Sequence, residues 1–113
     1  MDDCIFCKIA RKEMGRLVYD DETVAAFDDL NPQAPTHVLI IPKKHIEKLA
    51  VMSPDDAQLM GHILEVANSI AAERSIATMG YRVVVNNGRA AGQSVDHVHF
   101  HLLGGRALGW PPG

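Results

Sequence analysis

Residues 95–103 read VDHVHFHLL, with histidine at positions 97, 99 and 101 and an apolar side chain at 98, 100 and 102. Side chains alternate across a strand, so this run predicts one face made of Val98, Phe100 and Leu102 and another made of three imidazoles. The apolar face suits a core. The other needs a chemical purpose, because buried imidazoles each require a hydrogen-bond partner and packing alone favours apolar residues there. A lone histidine such as His37 or His62 reads as a structural residue satisfied within the fold. Three in alternation leave two uses open. They can grip a metal ion, or one can be a nucleophile that the others orient, a role imidazole suits near neutral pH because much of it is unprotonated.

Working outward, YRVVVNNG (81–88) and the β-branched run HVLIIP (37–42) predict two more strands, the latter buried and ending at Pro42. LVYDDETVAAF (17–27) is two apolar runs broken by Asp20, Asp21 and Glu22, the form of a β-hairpin. DLNPQAPT (29–36) and RAAGQS (89–94) read as loops. IFCKIARK (5–12) predicts a short N-terminal helix with Ile5, Phe6 and Ile9 at roughly helical spacing and Cys4 and Cys7 on one face. A long helix begins at Ser53, an N-cap followed by Pro54, Asp55 and Asp56. Leu59, Ile63, Val66 and Ile70 give it one apolar stripe to about residue 75, with Gly80 punctuating its end. The expectation is an α+β fold, a five-stranded antiparallel sheet with the long helix packed on one face.

The 113 residues predict a single domain, 1–113, with room for one core and one site. An apolar fraction of 47% and a charged fraction of 22% are those of an ordinary globular chain. A net charge of −3 argues against nucleic acid held through many backbone phosphates, while one small phosphate remains compatible with backbone amides and imidazoles. No apolar run approaches membrane-spanning length, and Met1-Asp2-Asp3-Cys4 is acidic where a secretory signal is basic, so a cytoplasmic chain is expected. In such a compartment the pair Cys4 and Cys7 favours a metal or redox role over a disulfide.

HVHFHLL matches the His-φ-His-φ-His-φ-φ signature of the histidine-triad (HIT) superfamily, and the chain resembles its Hint branch of purine nucleoside phosphoramidases in NPQAPTH, IPKKHI and GQSVDHVHFHLLGGRALGWPPG. The resemblance spans essentially the whole chain. It implies a HIT-like fold and hydrolysis of the P–N bond in purine nucleoside 5′-phosphoramidates, with His99 as the nucleophile and a covalent nucleotidyl-histidine intermediate. It also implies that His101 contacts the phosphate, that the backbone around His97 fixes the tautomer of His99, and that Ser94, with the backbone of Gly92 and Gln93, binds phosphate oxygens and assists the leaving nitrogen. Asp29 matches the acidic residue on the ribose hydroxyls, although alone it reads equally as a solvated loop residue. Phe6, Ile9, Phe27 and Leu30 match positions lining the base pocket, where core packing is the alternative. Asn86 matches a side chain near the 5′ oxygen and phosphate, yet Asn86-Asn87-Gly88 is also a turn signal. Trp110 belongs to a tail that in relatives reaches the partner protomer's site, which implies a homodimer.

In a subset of the superfamily Cys4 and Cys7 match ligands of a structural zinc completed by His45 and His97. Such a set is closed and tetrahedral and is not required for the chemistry. The alternative is that the cysteines pack as small apolar groups. Asp96 and Asp28 depart from the family pattern and are expected to add negative charge near the phosphate, either weakening binding or favouring substrates with a cationic leaving group. Rival functions are a dinucleoside polyphosphate hydrolase or nucleotidyl transferase, a nucleotide-binding regulator, and a zinc-dependent hydrolase.

Overall fold

The computed structural model describes residues 3–113; the acidic start read at Met1 and Asp2 lies outside them. The architecture is α+β. Helix α1 (Ile5–Ala10) is followed by strands β1 (Tyr19–Asp20), β2 (Val24–Asp28) and β3 (Thr36–Pro42), then helix α2 (Ala57–Glu73) and strands β4 (Tyr81–Val85) and β5 (Phe100–Gly104). All neighbours pair antiparallel in the order β1-β2-β3-β5-β4. Every residue of β3 is buried, as a central strand covered on both faces requires.

Alternation divides the sheet. Val24, Ala26, Val38, Ile40, Val98, Phe100 and Leu102 pack with Ile63, Val66 and Ile70 of α2, the predicted stripe. Ala25, Phe27, Leu39 and Ile41 face the other way, against Phe6 and Ala10 of α1. Helix α1 is shorter than expected, and its buried residues are Phe6, Cys7 and Ala10 while Ile5 is exposed. Cys4 is its N-cap rather than part of its face: the sulfur accepts the Cys7 amide at 3.4 Å.

The last strand starts later than the sequence suggests, at Phe100 rather than residue 95. Register would set Val98 opposite Pro42, but the Val98 amide goes to the Ile46 carbonyl at 2.7 Å and Pro42 has no N–H to offer. The alternation nevertheless persists through 97–99, so the histidines keep their face.

Ser53 does open the long helical segment, but through a 3₁₀ turn at Pro54–Asp56. Asp56 accepts from the Ser53 amide at 3.0 Å and from Lys44 Nζ at 2.6 Å. The end of α2 is a Schellman closure with Ser75 at φ 60: Ser75 N–H donates to Ala72 and Ile76 N–H to Ala71. Gly80 serves only the turn beyond it.

The β1–β2 turn is clasped to α2. Asp21 accepts from the Thr23 and Val24 amides, from Tyr19 Oη at 2.6 Å and from His62 Nε2 at 2.7 Å. Burial would raise the Asp21 carboxyl, but these bonds overcome it and hold it well below the usual carboxylate range. Asp21 first, and Glu65 second, raise His62 above its ordinary 6.5. A raised folded value gives stability that is full below the unfolded value and lost as pH rises through the folded one. The pair is more than one-third exposed on the His62 side, so its contribution is below about 1 kcal/mol. His62→Gln should therefore be less stable than wild type at pH 5.5 in urea unfolding, with the gap narrowing by pH 8.5; a gap that widens with pH contradicts the clasp.

Candidate active site and metal centre

The three histidines do share a face, and each is given a different hydrogen-bond environment. His99 is buried, and its Nδ1 donates to the His97 carbonyl at 2.7 Å. That bond commits the Nδ1 proton, so the neutral ring carries its lone pair on Nε2. His101 lies two residues further, at the next position on the same face, with ring centroids 5.1 Å apart. Burial, reinforced by neighbouring His99 and His37, pushes the His101 pKa down to about 4, so the ring is neutral at pH 7.

Beside them opens a cavity of about 630 Å³, within the range of small-molecule sites. Ile5, Phe6, Ile9, Arg16, Phe27, Asp29 and Leu30 are among its walls. Phe6 joins cavity to histidines, its ring edge-on to His99 at a centroid distance of 5.0 Å. Leu30 is among the cavity's lining residues with its side chain fully exposed. Asp29 Oδ1 accepts the Asn31 amide at 2.8 Å, while its Oδ2 lies 3.4 Å from His37 Nε2.

A model of the HIT domain matches residues 11–108. The chain belongs to the HIT domain family. It is 49% identical to an uncharacterized HIT-like protein of Synechocystis sp., across 99% of this chain and 98% of that protein. It is also 49% identical to a 14 kDa zinc-binding protein of Zea mays, across 96% of this chain and 87% of that one. Among solved structures, a HIT family hydrolase from Legionella pneumophila superposes with a TM-score of 0.95 at 48% identity, covering 98% of this chain and 100% of its own. A histidine triad nucleotide-binding protein from Candida albicans gives 0.80 at 39% identity, covering 96% and 83%. This HIT chain is hydrolase-like in fold and in the chemistry its histidines allow.

His97 faces a second cluster. Its Nε2–H donates to the Pro42 carbonyl at 2.8 Å, which leaves Nδ1 as a lone pair 3.5 Å from Cys4 Sγ and 3.6 Å from Cys7 Sγ. Cys7 Sγ is 3.3 Å from His45 Nδ1, and all four donor atoms lie within 4.8 Å of one another. Tetrahedral bonds of about 2.3 Å to sulfur and 2.0–2.1 Å to nitrogen imply S···N separations of about 3.6 Å, so these residues could hold a metal ion of that type. Burial and the adjacent Cys4 push the Cys7 thiol up, and burial pushes His97 down to about 4. A cation is the partner that would hold such a thiol as thiolate and use such a neutral imidazole.

Several expected residues take positions the sequence does not reveal. Gln93 is buried and turned inward: Oε1 accepts the Gly88 amide at 2.8 Å, and Nε2 donates to the carbonyls of Glu47 at 2.7 Å and Val95 at 3.0 Å. Its backbone amide closes onto Gly88 and that of Gly92 onto Arg89, while Ser94 beyond them is exposed. Asn86 Nδ2 packs beside Gly92, and Asn87 Oδ1 caps the Ala50 amide. Trp110 is 82% exposed with Arg82 over its ring, away from the cavity of its own chain. Asp28 does lie at the cavity, but Arg74 pairs with it at 3.0 Å, so its charge does not stand alone there. Asp96 is exposed, with Arg89 at 3.9 Å.

Gln93→Leu keeps the volume and removes three half-buried hydrogen bonds, taking these partners from the Glu47 carbonyl and the Gly88 amide while the Val95 carbonyl keeps the His97 amide. A loss of about 2–3 kcal/mol is expected in urea unfolding; a loss under about 0.5 kcal/mol would show that the loop does not depend on this side chain.

Proposed function

We propose that the chain is a homodimeric purine nucleoside phosphoramidase, hydrolysing the P–N bond of purine nucleoside 5′-phosphoramidates. The observation that carries this reading is His99, whose Nδ1 proton is committed to the His97 carbonyl so that Nε2 is the nitrogen that bears the nucleophilic lone pair of the neutral ring. In the first step Nε2 bonds to the α-phosphorus as the bond to the amine breaks, the departing nitrogen taking a proton from solvent, which the attacking water of the second step returns. Water then attacks the same phosphorus, the bond to His99 breaks, and nucleoside monophosphate departs with the imidazole restored. His101 donates to phosphate oxygens, the Asp29 carboxylate accepts from ribose hydroxyls, and Ser94 with the neighbouring backbone is assigned to the leaving nitrogen. Phe6, Ile9, Phe27 and Leu30 would take the purine, with Asn86 near the 5′ oxygen. The homodimer reading draws support from β4, which among the described residues pairs only with β5, and from the exposed Trp110.

For Cys4, Cys7, His45 and His97 the proposed metal is zinc, in keeping with the donor set and with the name of the maize relative. It would supply a cross-link between the N-terminal helix and the segment carrying His99, with no open position for substrate.

His99→Ala should cut release of nucleoside monophosphate from adenosine 5′-phosphoramidate by at least about a thousandfold while the protein stays folded. If the wild type binds nucleotide yet leaves this substrate intact, the reading fails and dinucleoside polyphosphates become the substrates to try. Elemental analysis should find one zinc per chain, absent from Cys7→Ser, together with a melting temperature several degrees lower in that variant. Equal metal content in the two proteins would remove zinc from the assignment.

A further inference from the structure

His37 reads from sequence as a satisfied structural histidine. It is satisfied, but in a way that has a direction. The Gln33 backbone amide donates to His37 Nδ1 at 3.0 Å. A backbone N–H can only donate, so Nδ1 must be the accepting nitrogen and the ring carries its proton on Nε2. The Gln33 peptide is itself held, its carbonyl accepting from Arg106 Nε at 2.9 Å and its side chain donating to the Asn31 carbonyl at 3.0 Å. His37 Nε2 lies 2.9 Å from His101 Nδ1. Register explains the meeting: His37 pairs with Leu103, which makes His101 its diagonal neighbour on the same sheet face.

Donation from His37 occupies the Nδ1 lone pair of His101, so the one proton of that neutral ring sits on Nε2. We infer that His37 is a positioning residue for the reaction at His99: it fixes His101 as the tautomer whose Nε2–H can donate to the phosphate of the substrate. Neutral imidazole has two tautomers, and the other would turn a lone pair toward an anionic oxygen, which repels it. The tautomer assignment rests on the hydrogen bonds alone; its catalytic consequence rests on the proposed phosphoramidase reading.

Asp29, His37 and His101 also bring a carboxylate and two imidazoles within 4.8 Å of one another, the make-up of a three-ligand metal site. The Gln33 amide decides against that use. A nitrogen that must bear a proton has no lone pair for a cation.

The test compares wild type, His37→Gln and His37→Leu, each labelled with ¹⁵N-histidine and checked for an intact thermal transition. Glutamine offers an N–H near the position of Nε2; leucine fills the space without one. Long-range ¹H–¹⁵N spectra should show His101 protonated at Nε2 in wild type and His37→Gln. In His37→Leu the Nδ1-protonated form should appear. On adenosine 5′-phosphoramidate, His37→Gln should keep kcat within about threefold, and His37→Leu should lose about 10–100-fold in kcat with a smaller change in KM. An unchanged His101 tautomer in His37→Leu, or equal kcat in wild type and His37→Leu, overturns the inference. So does Zn²⁺ that, added beyond the equivalent taken by the cysteine cluster, displaces the Nε2 proton of His37. If the expected spectra are seen in a wild type that does not turn over the phosphoramidate, the tautomer assignment holds and the phosphoramidase reading falls.

Discussion

His97 is bonded in three directions, and the site depends on all three. Its Nε2–H takes the Pro42 carbonyl, its Nδ1 faces the two cysteine sulfurs, and its own carbonyl receives Nδ1–H of His99. The first bond occupies an acceptor at the end of β3 and coincides with the point where β5 no longer pairs with it. The segment 97–99 is thereby freed from the ladder without losing its alternation. A backbone carbonyl inside a regular ladder would already be engaged by a neighbouring strand; here one is left to orient a side chain. The interruption of the sheet is thus what gives His99 its orientation.

The imidazoles of this site are ordered more by fixed backbone groups than by charge. The Pro42 and His97 carbonyls accept hydrogen bonds from His97 and His99, and the Gln33 amide donates one to His37. Because burial keeps His97 and His101 neutral at ordinary pH, these contacts determine donor and acceptor roles that ionisation would otherwise blur. Backbone groups suit this role because they neither titrate nor rotate independently of the fold.

Much of this is legible in the chain. The β-branched run before Pro42, the cap at Ser53, the stripe on α2 and the alternation around the histidines each report a local rule, and local rules survive folding. Five antiparallel strands and the grouping of Cys4, Cys7, His45 and His97 likewise follow what pattern and resemblance imply. What cannot be read depends on distant partners. His37 meets His101 across 64 residues, and nothing near either announces the pairing beyond a histidine at the start of a buried strand. Asp28 reads as uncompensated charge because Arg74, 46 residues away, is brought to it only by the fold. Gln93 sits in a small-residue loop that suggests exposure, and its inward turn answers carbonyls at Glu47 and Val95 whose need for donors is invisible in sequence. The stripe places the end of α2 near residue 75, but the left-handed residue that closes it is a serine, where glycine is the usual signal.

Helix α1 has six residues, too few to persist in water through its own hydrogen bonds. Its Phe6 and Ile9 nevertheless form a wall of the cavity, and its N-cap is a cysteine of the metal-type cluster. The wall is therefore an appended piece, as durable as its attachments at Phe6 and at the two sulfurs. Oxidants, agents with no affinity for the cavity, would act on those sulfurs and reach the shape of the cavity through them.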